Sequence, residues 1–323
     1  MSAIIDDGRI PGRLQTALQA LAGASAQLAE LIRRWPLAGP EGAGPKTLGG
    51  AADAMLRQAL AGGGVRWLVS AQGHQVTELD PTGQLAVALN PLDGASRLDT
   101  NMPVGTLFSV HVAGATAEDS FMRPLRDQIA AGYVIYGPRC TMMLTCGAGV
   151  QAYALDPQAG GFRLTRPDVR VSEGSPEFAI NSSNYRHWPQ PIRAFIDDCI
   201  AGADGPSEEN FNMRWTSSLV AEAHRILHQG GIYLYPEDAR KGYERGRLRM
   251  LYECAPIAML MEQAGGLATD GSEPILSACV SAFEQRSPIV FGSADQVARV
   301  AAYHDLPEAE VSALFGKRGL FRA

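Results

Sequence analysis

The order of helix-like and strand-like segments changes near residue 168, and this change limits the possible folds more than any other feature of the sequence. Before it, two helical segments (12–34 and 51–61) precede a series of short, β-rich segments bounded by Gly, Pro or Asp. These predicted strands cover 66–70, 85–89, 106–112, 132–137, 141–146 and 150–155. A hairpin turn is expected at Gly160-Gly161.

After residue 168, helices and strands alternate. The predicted helices cover 190–201, 216–228, 254–263 and 295–304, and the predicted strands cover 231–235 and 287–293. The two patterns together predict a mixed α/β fold, α+β in its layering, in which two sheets and their helices pack on each other. We place a domain boundary at the change, between an N-terminal domain (1–168) and a C-terminal α/β domain (169–323).

Composition and charge exclude several classes of protein. The chain of 323 residues is 46% hydrophobic and 19% charged, so it is able to bury a large core. Its net charge of −6 argues against a nucleic-acid partner, which requires a basic face. No apolar run approaches the length of about 18 residues that indicates a membrane span.

The N-terminus and the cysteines both indicate a cytoplasmic protein. The N-terminus carries early acids and lacks a basic region followed by an apolar stretch, so no secretion signal is expected. The five cysteines are odd in number and share no C-x-x-C spacing. This usage favours free thiols in a reducing compartment over disulfides or a zinc cluster.

The segment that follows the predicted strand 85–89 has two interpretations. An apolar strand followed by Pro91, Asp93 and Gly94 is typical of a sheet that delivers backbone and carboxylate groups to a crevice, where ligands of α/β proteins bind. The same residue types also form an ordinary β-turn. On this segment alone the turn is favoured.

A second candidate is a basic segment in this acidic chain. Residues 239–249 contain five basic side chains: Arg240, Lys241, Arg245, Arg247 and Arg249. Guanidinium groups match phosphate oxygens in bidentate geometry, so the segment is either a phosphate clamp or a solvated loop. Glu253 follows at the expected start of a helix, where the helix dipole alone also favours a carboxylate.

Other motifs point away from metal-protease, P-loop and serine-esterase chemistry. His224 and His228 lie four residues apart on a predicted helix, but Arg225 stands where the zinc-protease motif requires Glu. A surface or hydrogen-bonded core position is favoured for both histidines. The sequence lacks a P-loop, a G-x-S-x-G motif, and a G-x-G-x-x-G turn between strand and helix.

Six segments in one order carry a family resemblance. They are 90–110, 130–138, 178–188, 211–236, 246–271 and 285–293. Together they resemble class I fructose-1,6-bisphosphatase over almost the whole chain. The linker near residues 36–50 and the C-terminal segment 301–321 are most similar to the bacterial branch that includes Calvin-cycle enzymes.

The resemblance implies a sugar-phosphatase fold with stacked α-β-α-β-α layers, two domains and a homotetramer. It implies Mg²⁺-dependent hydrolysis of the 1-phosphate of fructose 1,6-bisphosphate in carbohydrate metabolism, with sedoheptulose 1,7-bisphosphate as a further candidate substrate. In such a site Mg²⁺ bridges acidic residues and phosphate, and activates the attacking water. The N-terminal domain would then carry the metal and phosphate site, and the C-terminal domain the sugar-phosphate site.

The resemblance also assigns roles to particular residues. Asp93 and Glu253 would be metal ligands that act in catalysis, with the Leu92 carbonyl as a further ligand. The residues that would bind substrate are Asp93, Gly94, Ala95, Ser96, Asn181, Tyr235, Arg247 and, reaching in from a neighbouring subunit, Arg214. The backbone N–H groups of 94–96 would hold the 1-phosphate.

Several acids that the family places around the metal are absent here. Asn90 stands where the family has Asp, and Ala71 and Gln72 stand where it has two Glu residues. Two further loop acids fall on Gly49 and Ala54, with Asp53 beside the latter.

We therefore expect fewer Mg²⁺ ions than in a typical family site, with Asn90 at a weakened ligand position. The alternative to a working bisphosphatase is a catalytically impaired relative. Such a protein would bind sugar phosphate or regulate an active paralogue.

Overall fold

A computed structural model of the chain describes residues 8–38, 45–73 and 75–305. The C-terminal segment cited for the bacterial resemblance lies mostly outside these ranges, as does part of the linker. All five cysteines are free thiols, as the sequence predicts. No helix within the described ranges has the length and apolarity needed to cross a membrane.

The first half of the chain forms one large sheet. Its strands are β1 (Val65–Ser70), β2 (Gln75–Glu78), β3 (Leu85–Asp93), β4 (Val104–Val112), β5 (Ala130–Tyr136), β6 (Cys140–Thr145), β7 (Val150–Asp156) and β8 (Gly161–Val169). Their order is β2-β1-β3-β4-β5-β6-β7-β8, and only β1 and β3 pair in parallel. The six predicted strands and the β7–β8 hairpin are confirmed.

The two N-terminal helices cover one face of this sheet. Helix α1 (Gly12–Ala38) buries a leucine stripe that includes Leu14, Leu18 and Leu21, and α2 (Pro45–Leu60) packs beside it. These side chains meet inward-facing residues of β3 such as Val87, because alternate residues of a strand point to the same face.

The second half forms a smaller sheet and a two-stranded ribbon. Its strands are β9 (Glu177–Ala179), β10 (Asn212–Met213), β11 (Ile232–Tyr235), β12 (Leu248–Arg249), β13 (Leu267–Thr269), β14 (Arg286–Ser287) and β15 (Ile289–Gly292). The five-stranded sheet has the order β10-β9-β11-β15-β13, and β12 pairs with β14. The predicted strands 231–235 and 287–293 correspond to β11 and β15. The other strands of this half are only two or three residues long, too short for a sequence pattern to predict.

The remaining helices complete the layers. They are α3 (Ala117–Phe121), α4 (Gln190–Ala201), α5 (Leu219–Gln229), α6 (Ala255–Gln263) and α7 (Ala294–Asp305). Helices α5 and α6 lie in the core between the two sheets, while α4 and α7 pack on the outer face of the smaller sheet. The layer order is therefore α-β-α-β-α, which confirms the predicted fold.

Three local predictions are wrong. Helix α2 begins at Pro45, six residues before the predicted start at residue 51. Residues 90–93 continue strand β3 instead of forming a β-turn, because Asn90 pairs with Leu107 and Asp93 with Gly105 across a register irregularity. Helix α5 begins at Leu219 instead of at residue 216. The backbone of Ser217 is left-handed (φ 56°), and the Ser218 side chain caps the helix.

Candidate functional site

A cavity of about 360 Å³ lies at the carboxyl end of β3, between the two sheets. Three acids and four arginines are among its lining residues: Asp93, Glu253, Glu284, Arg97, Arg247, Arg249 and Arg286. They come from segments far apart in the chain, and Tyr235 at the end of β11 adds an aromatic wall. A concave site with a few convergent charged groups is the usual form of a small-molecule site.

Strand β3 brings Asp93 into the cavity. The Pro91 carbonyl accepts a hydrogen bond from Thr106 Oγ1 at 2.8 Å, which anchors the strand just before its end. Gly94 then turns the chain with φ 74°, a backbone conformation that favours glycine. The turn leads into a 3₁₀ helix (Ala95–Thr100) that carries Arg97. Asp93 Oδ2 is buried and has no hydrogen-bond partner among the described residues.

Glu253 lies opposite, on a single π-helical turn (Met250–Cys254) directly before α6. Its Oε2 accepts the backbone N–H of Arg249 at 2.6 Å, and its Oε1 accepts Arg249 Nη2 at 3.1 Å. The Asn90 amide also donates to Glu253 Oε1, at 3.2 Å. The cap interpretation of Glu253 is thus incomplete, because its carboxylate joins residues from both halves of the chain.

The positions where the family has acids lie next to the hydrogen bonds that join Glu253, Arg249 and Asn90. Arg249 Nη1 donates to the Ala71 carbonyl at 2.9 Å, so the turn after β1 borders Glu253. A methyl group placed on Gly49 would lie 3.4 Å from Gln72 Oε1, so these two positions face one another.

On helix α2 the acid that faces the sheet is Asp53, while Ala54 is exposed. The Asp53 carboxylate accepts hydrogen bonds from Ser70 and from Arg57. Asp53 is therefore engaged with β1 and with its own helix.

The basic segment divides into two parts. Arg247 lines the cavity with its guanidinium 4.8 Å from the ring centre of Tyr243, and Arg249 binds Glu253. Arg240 instead pairs with Asp238, and its guanidinium lies 4.5 Å from the ring centre of Tyr243. A further two side chains, Lys241 and Arg245, are exposed.

The other predicted substrate residues lie outside the cavity wall. Asn181 caps a 3₁₀ helix (Ser182–His187) by accepting the Ser183 N–H at 3.3 Å. Arg214 is half exposed and pairs with Glu177 at 3.3 Å. Ala95 and Ser96 begin the 3₁₀ helix that follows Gly94. Their substrate roles remain predictions.

Comparison with known proteins agrees with this geometry. The family model described as "Fructose-1-6-bisphosphatase, N-terminal domain" matches residues 14–167, and "Fructose-1-6-bisphosphatase, C-terminal domain" matches residues 171–305. The chain belongs to the class I fructose-1,6-bisphosphatase family. Nearly the whole described chain is covered by the two matches.

Relatives in this family resemble the chain from end to end. It is 62% identical to "Fructose-1,6-bisphosphatase class 1" of Paracoccus denitrificans, over 99% of this chain and 98% of that protein. It is 54% identical to a class 1 fructose-1,6-bisphosphatase of Cereibacter sphaeroides, over 97% of each. The crystal structure of the Leishmania major fructose-1,6-bisphosphatase in holo form superimposes with a TM-score of 0.83 at 31% identity, over 92% of this chain and 95% of that one.

Sequence reasoning missed some residues of the cavity in this family member. Arg97 and Ser217 were not singled out, although Arg97 follows Gly94 by only three residues. Arg249 was counted only as part of the basic segment, yet its position four residues before Glu253 was a usable signal. Sequence alone gave no signal for Arg286, because the short pairing of β12 with β14 brings it to the site.

The two histidines of α5 are partly buried, and each has a polar neighbour within hydrogen-bond distance. Tyr133 OH lies 3.0 Å from His224 Nδ1, and Arg166 Nη1 lies 3.1 Å from His228 Nδ1. Burial, with the nearby His228 and Arg139, lowers the pKa of His224 to about 4. Among the described residues no group of three or more His, Cys, Asp or Glu side chains is arranged to hold a metal.

The remaining two acids nevertheless suit one cation. Burial and the charge of Glu253 raise the pKa of Asp93 from 3.8 to about 7, against the opposite effect of Arg97 and Arg249. A buried oxygen without a partner next to a second carboxylate is the donor set that a hard divalent ion prefers. These two carboxylates supply fewer metal ligands than the set of acids that the family resemblance implies.

The raised pKa predicts a pH dependence of stability in metal-free protein. Because the folded carboxyl holds its proton more tightly than the unfolded one, its stabilising contribution is complete below about pH 4 and is lost as pH rises through about 7. We expect Asp93→Asn to remove this decline. Urea unfolding with EDTA at several pH values from about 4 to 8 measures it. An equal decline in Asp93→Asn and in the unmodified chain would contradict the assignment.

Proposed function

We propose that the chain is a sugar bisphosphatase that hydrolyses the 1-phosphate of fructose 1,6-bisphosphate with Mg²⁺. The observation that carries the proposal is the cavity in which a buried Asp93 oxygen without a partner faces Glu253 and four arginines. The names of the family relatives support the same activity. Sedoheptulose 1,7-bisphosphate is a second candidate substrate, and carbohydrate metabolism, including the Calvin cycle, is the expected setting in the cytoplasm.

In this proposal Asp93, Glu253 and the Leu92 carbonyl hold the metal ion. A bound Mg²⁺ neutralises phosphate charge and lowers the pKa of a bound water. Asp93 lies at the end of β3, and its buried Oδ2 has no hydrogen-bond partner among the described residues, so this oxygen is available to a metal ion. The Asn90 amide and the Arg249 guanidinium both donate hydrogen bonds to the Glu253 carboxylate. Part of its negative charge is therefore already compensated within the protein.

In this proposal the C-terminal part of the chain binds the sugar and its 6-phosphate. Tyr235 and Arg247 lie on the cavity wall, where they would contact the sugar and its 6-phosphate. Asn181 would assist there, and Arg214 would act from the neighbouring subunit of a homotetramer. With a division into domains 1–168 and 169–323, we assign Asp93 and the Leu92 carbonyl of the metal site to the first domain. Glu253 and the sugar-phosphate site then belong to the second.

The network around Glu253 favours a second candidate function. Its Oε1 already accepts hydrogen bonds from Asn90 and Arg249, so the carboxylate is satisfied without a metal ion. Such a site would bind sugar bisphosphate with little turnover. The protein would then act as a sugar-phosphate-binding member of the family, or as a regulatory subunit assembled with an active paralogue.

The deciding experiment is phosphate release from fructose 1,6-bisphosphate, titrated with Mg²⁺ and Mn²⁺. A working bisphosphatase gives turnover that rises with metal, and Asp93→Asn lowers it by about 10²–10³-fold because a buried ligand is lost. The variant also serves as the control for a contaminating phosphatase. No turnover, together with a substrate-induced rise in Tm, would instead support the binding protein.

A further inference from the structure

Arg97 occupies a position in the cavity that neither the resemblance nor the metal assignment uses. It lies on the 3₁₀ helix that begins directly after Gly94, and it lines the cavity together with Asp93. A methyl group placed on Gly94 would lie 3.6 Å from Arg97 Nη1. The guanidinium therefore lies over the turn that follows Asp93, at the end of β3.

The Arg97 guanidinium has donors to spare, unlike that of Arg249. Arg249 gives one Nη group to the Ala71 carbonyl and the other to Glu253. Arg97 donates only its Nε, to Ser217 Oγ at 3.0 Å, and no residue in the described ranges accepts a hydrogen bond from its Nη groups. Two adjacent Nη groups on one guanidinium form the fork that matches two oxygens of a phosphate.

The orientation of Arg97 is fixed by an unusual loop. Ser217 adopts a left-handed backbone (φ 56°) that is costly for a residue with a side chain. The neighbouring Thr216 donates both its N–H and its hydroxyl to Glu222, at 2.6 and 3.0 Å. The loop is thus held from the core, and it presents Ser217 Oγ to Arg97.

We propose that Arg97 is a phosphate-binding residue of this cavity, and that it allows a phosphoryl group to bind without a divalent cation. This inference rests on the proposed function for the identity of the natural ligand, a sugar bisphosphate. It does not rest on turnover. A fixed guanidinium supplies part of the positive charge that metal ions would supply in a site with more acids.

The test is binding of inorganic phosphate and of fructose 1,6-bisphosphate by calorimetry in EDTA. The unmodified chain is expected to bind both ligands. Arg97→Gln is expected to weaken both by about 10- to 100-fold, the effect of losing a hydrogen-bonded charge. Arg97→Lys keeps the positive charge but lacks the two adjacent Nη groups. Its phosphate affinity should therefore lie between those of the unmodified chain and of Arg97→Gln.

Two further variants separate binding from folding. Ser217→Gly removes the acceptor that orients Arg97 and also relieves the left-handed backbone, so it should weaken phosphate binding several-fold without lowering the Tm. Arg170→Gln removes one positive charge outside the cavity, at a side chain that is 61% exposed, and should leave the affinity unchanged.

Each outcome has one meaning. The proposed role of Arg97 is wrong if the unmodified chain does not bind phosphate in EDTA. It is also wrong if Arg97→Gln binds phosphate as tightly as the unmodified chain. If Arg97→Gln weakens inorganic phosphate while the unmodified chain neither binds nor hydrolyses fructose 1,6-bisphosphate, the proposed function fails and the phosphate site stands.

Discussion

Replacing three neutral residues by acids, Asn90→Asp, Ala71→Glu and Gln72→Glu together, is expected to raise Mg²⁺-dependent phosphate release by at least about 100-fold. Three carboxylates line the present site, those of Asp93, Glu253 and Glu284, and Glu253 is held by Arg249 and Asn90. The three changes add charge around the same cavity. Mg²⁺ is then bound by more oxygen ligands, and the attacking water is positioned by more than one carboxylate.

The measurement is kcat/KM for fructose 1,6-bisphosphate at saturating Mg²⁺. A matched control is Ala71→Gln, which leaves an uncharged amide at each of positions 71, 72 and 90. If the triple acid variant folds and its rate equals that of the control, the idea that absent acids limit this site is wrong.

Asn90→Asp alone is also expected to change the Tm of the protein. The Asn90 amide donates to Glu253 Oε1 at 3.2 Å, and a carboxylate there would repel it. Asn90→Asp should therefore lower the Tm in EDTA and regain it with Mg²⁺. A Tm that does not respond to Mg²⁺ would show that position 90 does not contribute to the metal site.

Glu222→Ala is expected to cost about 3–5 kcal/mol in the free energy of unfolding, which is the usual effect of removing one partner of a buried ion pair. Glu222 is fully buried on α5. Its Oε2 accepts Arg225 Nε at 3.1 Å, and its Oε1 accepts two hydrogen bonds from Thr216. The variant leaves the mostly buried Arg225 with Glu177 as its one remaining ion-pair partner among the described residues.

Urea unfolding measures this loss, with Glu209→Ala as an exposed control that should change stability by less than about 0.5 kcal/mol. Glu222→Gln keeps the shape and part of the hydrogen bonding, so its loss should be smaller. A loss below about 1 kcal/mol for Glu222→Ala would show that the Thr216 loop is held mainly by other contacts.

The sequence by itself determined the layers of this protein. The leucine stripe of α1 follows the 3.6-residue period of a helix, and β3, β4 and β5 are short, continuous apolar runs. Both are local properties of the chain. The order of these segments fixed which half forms the large sheet. Long motifs also identified the family and the end of β3 as the candidate site.

Only the tertiary structure decided which residues of the site contact one another. Asn90 and Glu253 are 163 positions apart, and Arg97 and Ser217 are 120 apart, so no local pattern predicts that they meet. The two-residue strand β12 and the left-handed Ser217 depend on contacts from distant segments, which override local preference. Charge in the cavity is therefore a property of the folded chain, because packing brings Arg249, Glu253 and Arg286 to Asp93 at the end of β3.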